Sequence, residues 1–211
     1  MLNFKNIFSF DYHPKLLEMF ISMTFLGVFI ANIVTPLLVS YIFYDVIPHT
    51  YLYIWLLLHL SVFSGRIVTT ERLRYFLKIK HKNIKKCLII TFMLTLTTTV
   101  LYGIAVWSSI HYNASDLQVF ALSVIIISLS AGARATLINI YQLYVLFVVL
   151  SMVPLIMMLL YHHGEIFDMI AIILMIFTLV TLRASYRQYT AFNHEIYLEE
   201  TFQMISDEDY Y

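Results

Sequence analysis

The sequence predicts an all-α polytopic membrane protein, a bundle of six transmembrane helices with cytoplasmic N- and C-termini and a long cytoplasmic exit helix. Three observations carry this. The 211 residues are 61% hydrophobic and 12% charged, with a mean hydropathy of +0.81, far too apolar for a soluble globular domain. Six apolar stretches, Met19–Tyr44, Tyr51–Val68, Cys87–Ser108, Leu117–Ala133, Tyr141–Tyr161 and Ile166–Leu182, each come near the ~20 residues that cross a hydrocarbon core. Finally, one threading of these spans puts all thirteen Lys and Arg on the same side. Positive residues near span ends stay in the cytoplasm, and this fixes the orientation.

The connections alternate accordingly. Tyr44–Thr50, Ser109–Asp116 and His162–Glu165 hold no Lys or Arg, whereas Arg66–Lys86 holds a dense run of them. Arg134, Arg183, Arg187, Lys5 and Lys15 complete the basic side, and Asp45, Asp116, Glu165 and Asp168 mark the other. The first span is too long for a cleavable signal peptide and lacks a small-residue cleavage site. A single cysteine, Cys87, excludes an internal disulfide and any multi-thiolate metal site. Asn113-Ala114-Ser115 matches a glycosylation sequon, a pattern short enough to arise by chance.

Residues 1–18 form a polar-aromatic lead-in, with Phe4, Ile7, Phe8, Phe10 and Leu16 set against Lys5, Asp11 and Lys15, the pattern of an interfacial helix. Residues 19–182 make the bundle. Asn32 and Pro36 predict a kink or an interhelical polar contact in the first span. In the second span His59 lies near mid-membrane and shares a helical face with Val62, Phe63 and Arg66. Ionisable groups at that depth are costly and need a reason: a ligand, a proton, or a hydrogen bond between helices. Arg66 is expected to snorkel to the inner interface. From Glu71 to Lys82 basic and apolar residues alternate without Gly or Pro, which predicts a short helix lying on the inner leaflet.

The fourth span closes on a run of small residues in which Ser128 with Gly132, and Ala131 with Ala135, predict close helix packing. Arg134 beside them is an interfacial anchor or the positive half of an interhelical contact. His59, Arg66, Asn32 and Arg134 are therefore the candidate sensing residues. At the outer rim His162, His163 and Glu165 are weak metal candidates with Asp168, and hairpin geometry would add Asp45, His49, His111 and Asp116. Their spacing is not that of a compact site, so no metal is expected. No Gly or Pro follows Gly164, so the sixth span is expected to run on as one helix into residues 183–211. Along it Arg183, Tyr189, Phe192, Asn193 and Ile196 are the candidate transmission residues, several at three-four spacing.

The order of these features resembles that of the six-span, membrane-associated sensor modules (MASE-like) at the N-termini of bacterial diguanylate cyclases and sensor histidine kinases. The matching residues are Trp55 and Arg66 before a basic loop, Leu101-Tyr102-Gly103, Ser130-Ala131-Gly132-Ala133, Pro154, Gly164 and Asn193. Together they cover roughly residues 30–205. Tyr102 where the family tends to have Trp, and Arg134 after the small-residue run, depart from the pattern. The resemblance implies a dimeric sensory input module in the bacterial inner membrane. It implies no catalysis by this chain, since the cyclase or kinase would be a covalently linked domain downstream and no Gly-Gly-Asp/Glu-Glu-Phe motif or phosphorylation box is present.

Two other classes stay open. A small transporter or channel subunit would need a polar path, and no acid lies deep within a span. A haem or quinone redox protein is disfavoured because a b-type haem needs two histidines at matching depth, and only His59 is intramembrane. No cofactor and no nucleic-acid partner is expected; the lipid bilayer is.

Overall fold

The computed structural model describes residues 12–79, 83–162 and 164–208, with side chains at all but 200 and 203–208. Every described element is helical. α1 spans Pro14–Phe29 and continues through a π-helical turn, Ile30–Val34, into α2, Thr35–Ile42. α3 spans His49–Lys78, α4 Ile84–His111, and α5 Asp116–Leu137. A 3-10 turn, Ile138–Ile140, leads to α6, Tyr141–Tyr161, and α7 spans Glu165–Glu208.

Five helical stretches are long and apolar enough to cross a membrane: Pro14–Ile42, His49–Lys78, Ile84–His111, Asp116–Tyr161 and Glu165–Glu199. The fourth is 46 residues long and is not one rod. The hydroxyls of Ser130 and Ser151 meet at 3.1 Å, whereas a straight helix would part them by about 31 Å. The chain doubles back at the 3-10 turn, where Ile140 leaves helical geometry at φ −123°, ψ 75°.

The kink expected from Asn32 and Pro36 takes a definite form. Proline at position 36 has no N–H to give the carbonyl four residues back, and its ring would press on that carbonyl. The helix widens ahead of it, so that the Thr35 N–H bonds Ile30, five residues back. Asn32 sits in this π turn, buried, with Nδ2 donating to the Val28 carbonyl at 3.1 Å.

α4 is the hub, packed on α3, α5 and α6, while α7 lies outside and packs chiefly on α6. The Trp55 Nε1–H donates across to the Leu101 carbonyl at 2.8 Å. Gly103 sets its α-carbon against Pro154, whose Cγ would lie 3.9 Å from an added Cβ. At the end away from the termini, Asn113 turns the chain at φ 52°, a conformation asparagine tolerates. There Gln118 accepts from the Ser115 N–H at 2.9 Å and donates to the Ile42 carbonyl at 2.8 Å, holding α5 to α2. The sequon residues thus have a local role in capping α5.

Three expectations need correction. Glu71–Lys78 is not a separate surface helix; it is the last part of α3, which runs unbroken because nothing in it breaks a helix. Lys80, His81 and Lys82 lie outside the described residues. Of the lead-in, residues 1–11 also lie outside, and Lys15 and Leu16 belong to α1, which Pro14 opens as a proline at a first helical turn does. Nor do the small residues of α5 pack against another helix of this chain. Ser128, Ala131, Gly132 and Ala135 are exposed, and a Cβ on Gly132 would meet nothing within 4 Å. The close approach belongs to Gly27 of α1, where a Cβ would come within 2.5 Å of Thr136 Cγ2.

Candidate functional site

A polar layer crosses the middle of the bundle. It starts from α4, where Thr91, Thr95 and Thr98 stand at i, i+4 and i+7 on the buried face. The Thr98 hydroxyl donates to Asn32 Oδ1 at 3.0 Å, and His59 Nδ1 lies 3.4 Å from the same oxygen. His59 is fully buried, with its ring centroid 4.5 Å from that of Trp55 and 5.1 Å from that of Tyr102. The Tyr102 hydroxyl donates to the Ala31 carbonyl at 2.7 Å, in the π turn. α3 and α4 thus converge on Asn32, the residue that the π turn brings inward.

Toward the basic end, Arg66 continues the buried face of His59 and Val62. It does not snorkel. The side chain is 3% exposed and turns inward, where Nη1 donates to the Thr95 hydroxyl. Nε has no hydrogen-bond partner, and among the described residues no carboxylate pairs with Arg66. The His59 Nε2 atom is likewise buried without a partner.

Beside this layer lies a cavity of about 660 Å³, within the roughly 300–1,000 Å³ typical of small-molecule sites. Arg66, Asn32, Thr95 and Thr98 line its inner wall. Its other walls come from α1 and the π turn, including Gly27 and Ile30, and from α5, including Ser128 and Gly132. Leu26, Ile30 and Val124 on these walls are 65%, 41% and 46% exposed, so the cavity opens sideways between α1 and α5, toward the surface that lipid would cover. A second cavity of about 550 Å³ between α3 and α4 is apolar, with His111 at one edge.

The structure therefore brings three of the four candidate sensing residues together and sets the fourth apart. Arg134 is half-buried at the basic end, its Nη2 donating to Gln188 Oε1 of α7 at 2.9 Å. Near it Tyr141 gives its hydroxyl proton to the Leu182 carbonyl at 3.3 Å and stacks on Tyr189, ring centroids 5.7 Å apart. Lys15 at the start of α1 reaches Glu199 of α7 at 2.8 Å. The Tyr12 hydroxyl donates to Gln142 at 3.1 Å; burial, with Tyr189 beside it, pushes its phenol pKa well above the ordinary value and keeps it a donor. Tyr189, Phe192, Asn193 and Ile196 are half-buried along α7, whereas Arg183 is exposed. Asn193 is occupied within its own helix, donating to the Tyr189 carbonyl at 2.9 Å.

At the far end His162 Nε2 meets Asp116 at 3.0 Å and His49 stacks on Tyr44. His163 lies outside the described residues, and among the described residues no three His, Cys, Asp or Glu side chains are placed to hold a metal. Sequence reasoning passed over the threonines of α4 and also Asn139, which is 1% exposed with both side-chain polar atoms unpartnered. The threonine spacing was a readable signal; Asn139, at a turn between apolar runs, carried none. Comparison with protein-family models, curated proteins and solved structures finds no match to this chain.

Proposed function

We propose that this chain is the sensory input module of a bacterial signalling protein. It crosses the inner membrane six times with both termini cytoplasmic, and a diguanylate cyclase or histidine kinase domain follows α7. The observation that carries the reading is how α7 is held. Both walls of the lateral cavity are tied to it by a polar contact, α1 through Lys15–Glu199 and α5 through Arg134–Gln188. A molecule that parts or draws together α1 and α5 therefore moves the two points at which α7 is gripped. The 44 residues of α7 make a rod of about 66 Å, roughly twice the ~30 Å hydrocarbon core, long enough to carry that motion outside the membrane.

A stimulus shifts such a device only through unequal affinity for its two packings. Two copies with their α7 helices side by side would turn a small slide or rotation into a change of output geometry. α7 suits that arrangement because it is the helix that the rest of the chain covers least.

The test fuses the chain to a diguanylate cyclase and plugs the cavity with Gly132→Trp, a side chain that projects into open space. The plug should change cyclase output. A Lys15→Ala, Arg134→Ala double variant should keep the bundle folded while abolishing that change. If the plug leaves output unaltered, or alters it equally in the double variant, α7 is not coupled to the cavity through these contacts.

A further inference from the structure

The chemistry of the cavity says what it takes. Its inner wall carries a guanidinium within the apolar part of the bundle, 17 residues and about 26 Å along α3 from His49. A charge in such a place is stable only when paired or hydrogen-bonded. Among the described residues no carboxylate faces Arg66: Glu71, one turn further on, is held by Arg74 at 2.6 Å, and Glu199 is held by Lys15. Its partner is a neutral hydroxyl, that of Thr95, and the other polar side chains of that wall, Thr98 and Asn32, are neutral too. The fold therefore supplies the positive half of an ion pair and leaves Nε unpartnered beside an open cavity.

The rest of the cavity is built for hydrocarbon. Beyond the close approach of Gly27 to Thr136 its lining follows the first helical stretch as far as Leu38, a run of about 17 Å. That exceeds the ~15 Å half-thickness of a hydrocarbon core, the depth that one acyl chain fills. The opening between α1 and α5 is bordered by Leu26, Ile30 and Val124, all exposed. The α5 side is kept low by Ser128 and Gly132, the small residues whose packing partner within the chain is missing. A slot lined this way admits a flexible chain from the side, out of the bilayer.

We propose that the cavity binds a single-chain anionic amphiphile, a long-chain carboxylate, with its head on Arg66 and its acyl chain lying in the slot between α1 and α5. The planar guanidinium matches a carboxylate as a fork. Thr95 holds Nη1 and so fixes the plane of that fork. The assignment rests on the sensory reading for its purpose, but not for its test, which needs no output domain.

The experiment is equilibrium binding of labelled palmitate to the purified full chain in phosphatidylcholine nanodiscs. Palmitate should bind saturably, and hexadecanol, with the same tail and no charge, should compete about 10- to 100-fold less well, the worth of a charge-assisted hydrogen bond. Arg66→Gln should weaken palmitate by a similar factor and erase the preference over hexadecanol. Gly132→Trp should weaken both ligands while thermal unfolding stays unchanged, and it reads the same site even if the Arg66 variant fails to fold. No saturable binding of palmitate, equal competition by hexadecanol, or wild-type binding in Gly132→Trp overturns the proposal. Phosphatidylglycerol competing better than palmitate overturns the single-chain assignment in favour of a phospholipid. Confirmed binding with no effect of the plug on a fused cyclase would retain the ligand and remove the sensory role.

Discussion

Over its most apolar window α4 has a mean hydropathy of 1.9, and 56% of that window is buried inside the chain; α7 is more apolar, at 2.3, yet only 11% buried. In water the order would be reversed, because apolar surface is driven inward. Here lipid is as good a neighbour for Ile172, Ile173 and Ile176 as another helix would be. The interior is marked by polar groups that meet across helices: Thr98 with Asn32 of the π turn, and Thr95 with Arg66 of α3. Polarity in mid-span, and not hydropathy, locates the centre of this molecule.

That contrast can be broken by mutation. The largest effect is expected from Tyr102→Ala on α4, which removes a buried ring and the hydrogen bond to Ala31, at a cost of about 3–5 kcal/mol. Ile173→Ala on α7, at 59% exposed, should stay within about 0.5 kcal/mol. Reversible unfolding in mixed micelles compares the two, and equal losses would mean that α7 is buried against something. Next come two glycines. Gly27→Val drives a side chain into Thr136 and should cost about 1–3 kcal/mol as overpacking does; Gly132→Val should be neutral by the same unfolding measurement.

Asn32→Leu is expected to cost less, about 0.6–1.7 kcal/mol, the range for interhelical hydrogen bonds in membranes. Thr98 keeps its bond to the Leu94 carbonyl while His59 Nδ1 loses its neighbour. A shift in the His59 imidazole resonances would report that loss. Lys15→Ala should have the smallest effect on stability, at most about 1 kcal/mol, since its bond to Glu199 is exposed. Spin labels on α1 and α7 should nevertheless show a broader distance distribution, and an unchanged one would mean that this contact does not hold α7.

The same contrast explains what the sequence disclosed. The limits of α6, the break near Pro36 and the uninterrupted α7 follow from local composition, and each was legible, whereas α3 runs ten residues past the apolar stretch that marked it. The buried face through His59 and Arg66 was legible because helical spacing places both on one side. The inward turn of Arg66 was not, because it depends on Thr95 lying opposite, in a helix 29 residues away. Nor did the small residues of α5 disclose their environment. Ser128 and Gly132 look the same in sequence whether a helix packs on them or a cavity opens beside them, and here they border the cavity. Gly27 had no such company in the sequence, yet it makes the closest helix contact of the five glycines.

The reversal at Ile138–Ile140 bears on how the protein is made. Three residues between α5 and α6 keep the second apolar helix from emerging far from the first. The two helices are expected to enter the bilayer as a preformed hairpin, with the Ser130–Ser151 bond closed before either hydroxyl meets lipid. Insertion of this half of the molecule is then expected to be one event for both helices.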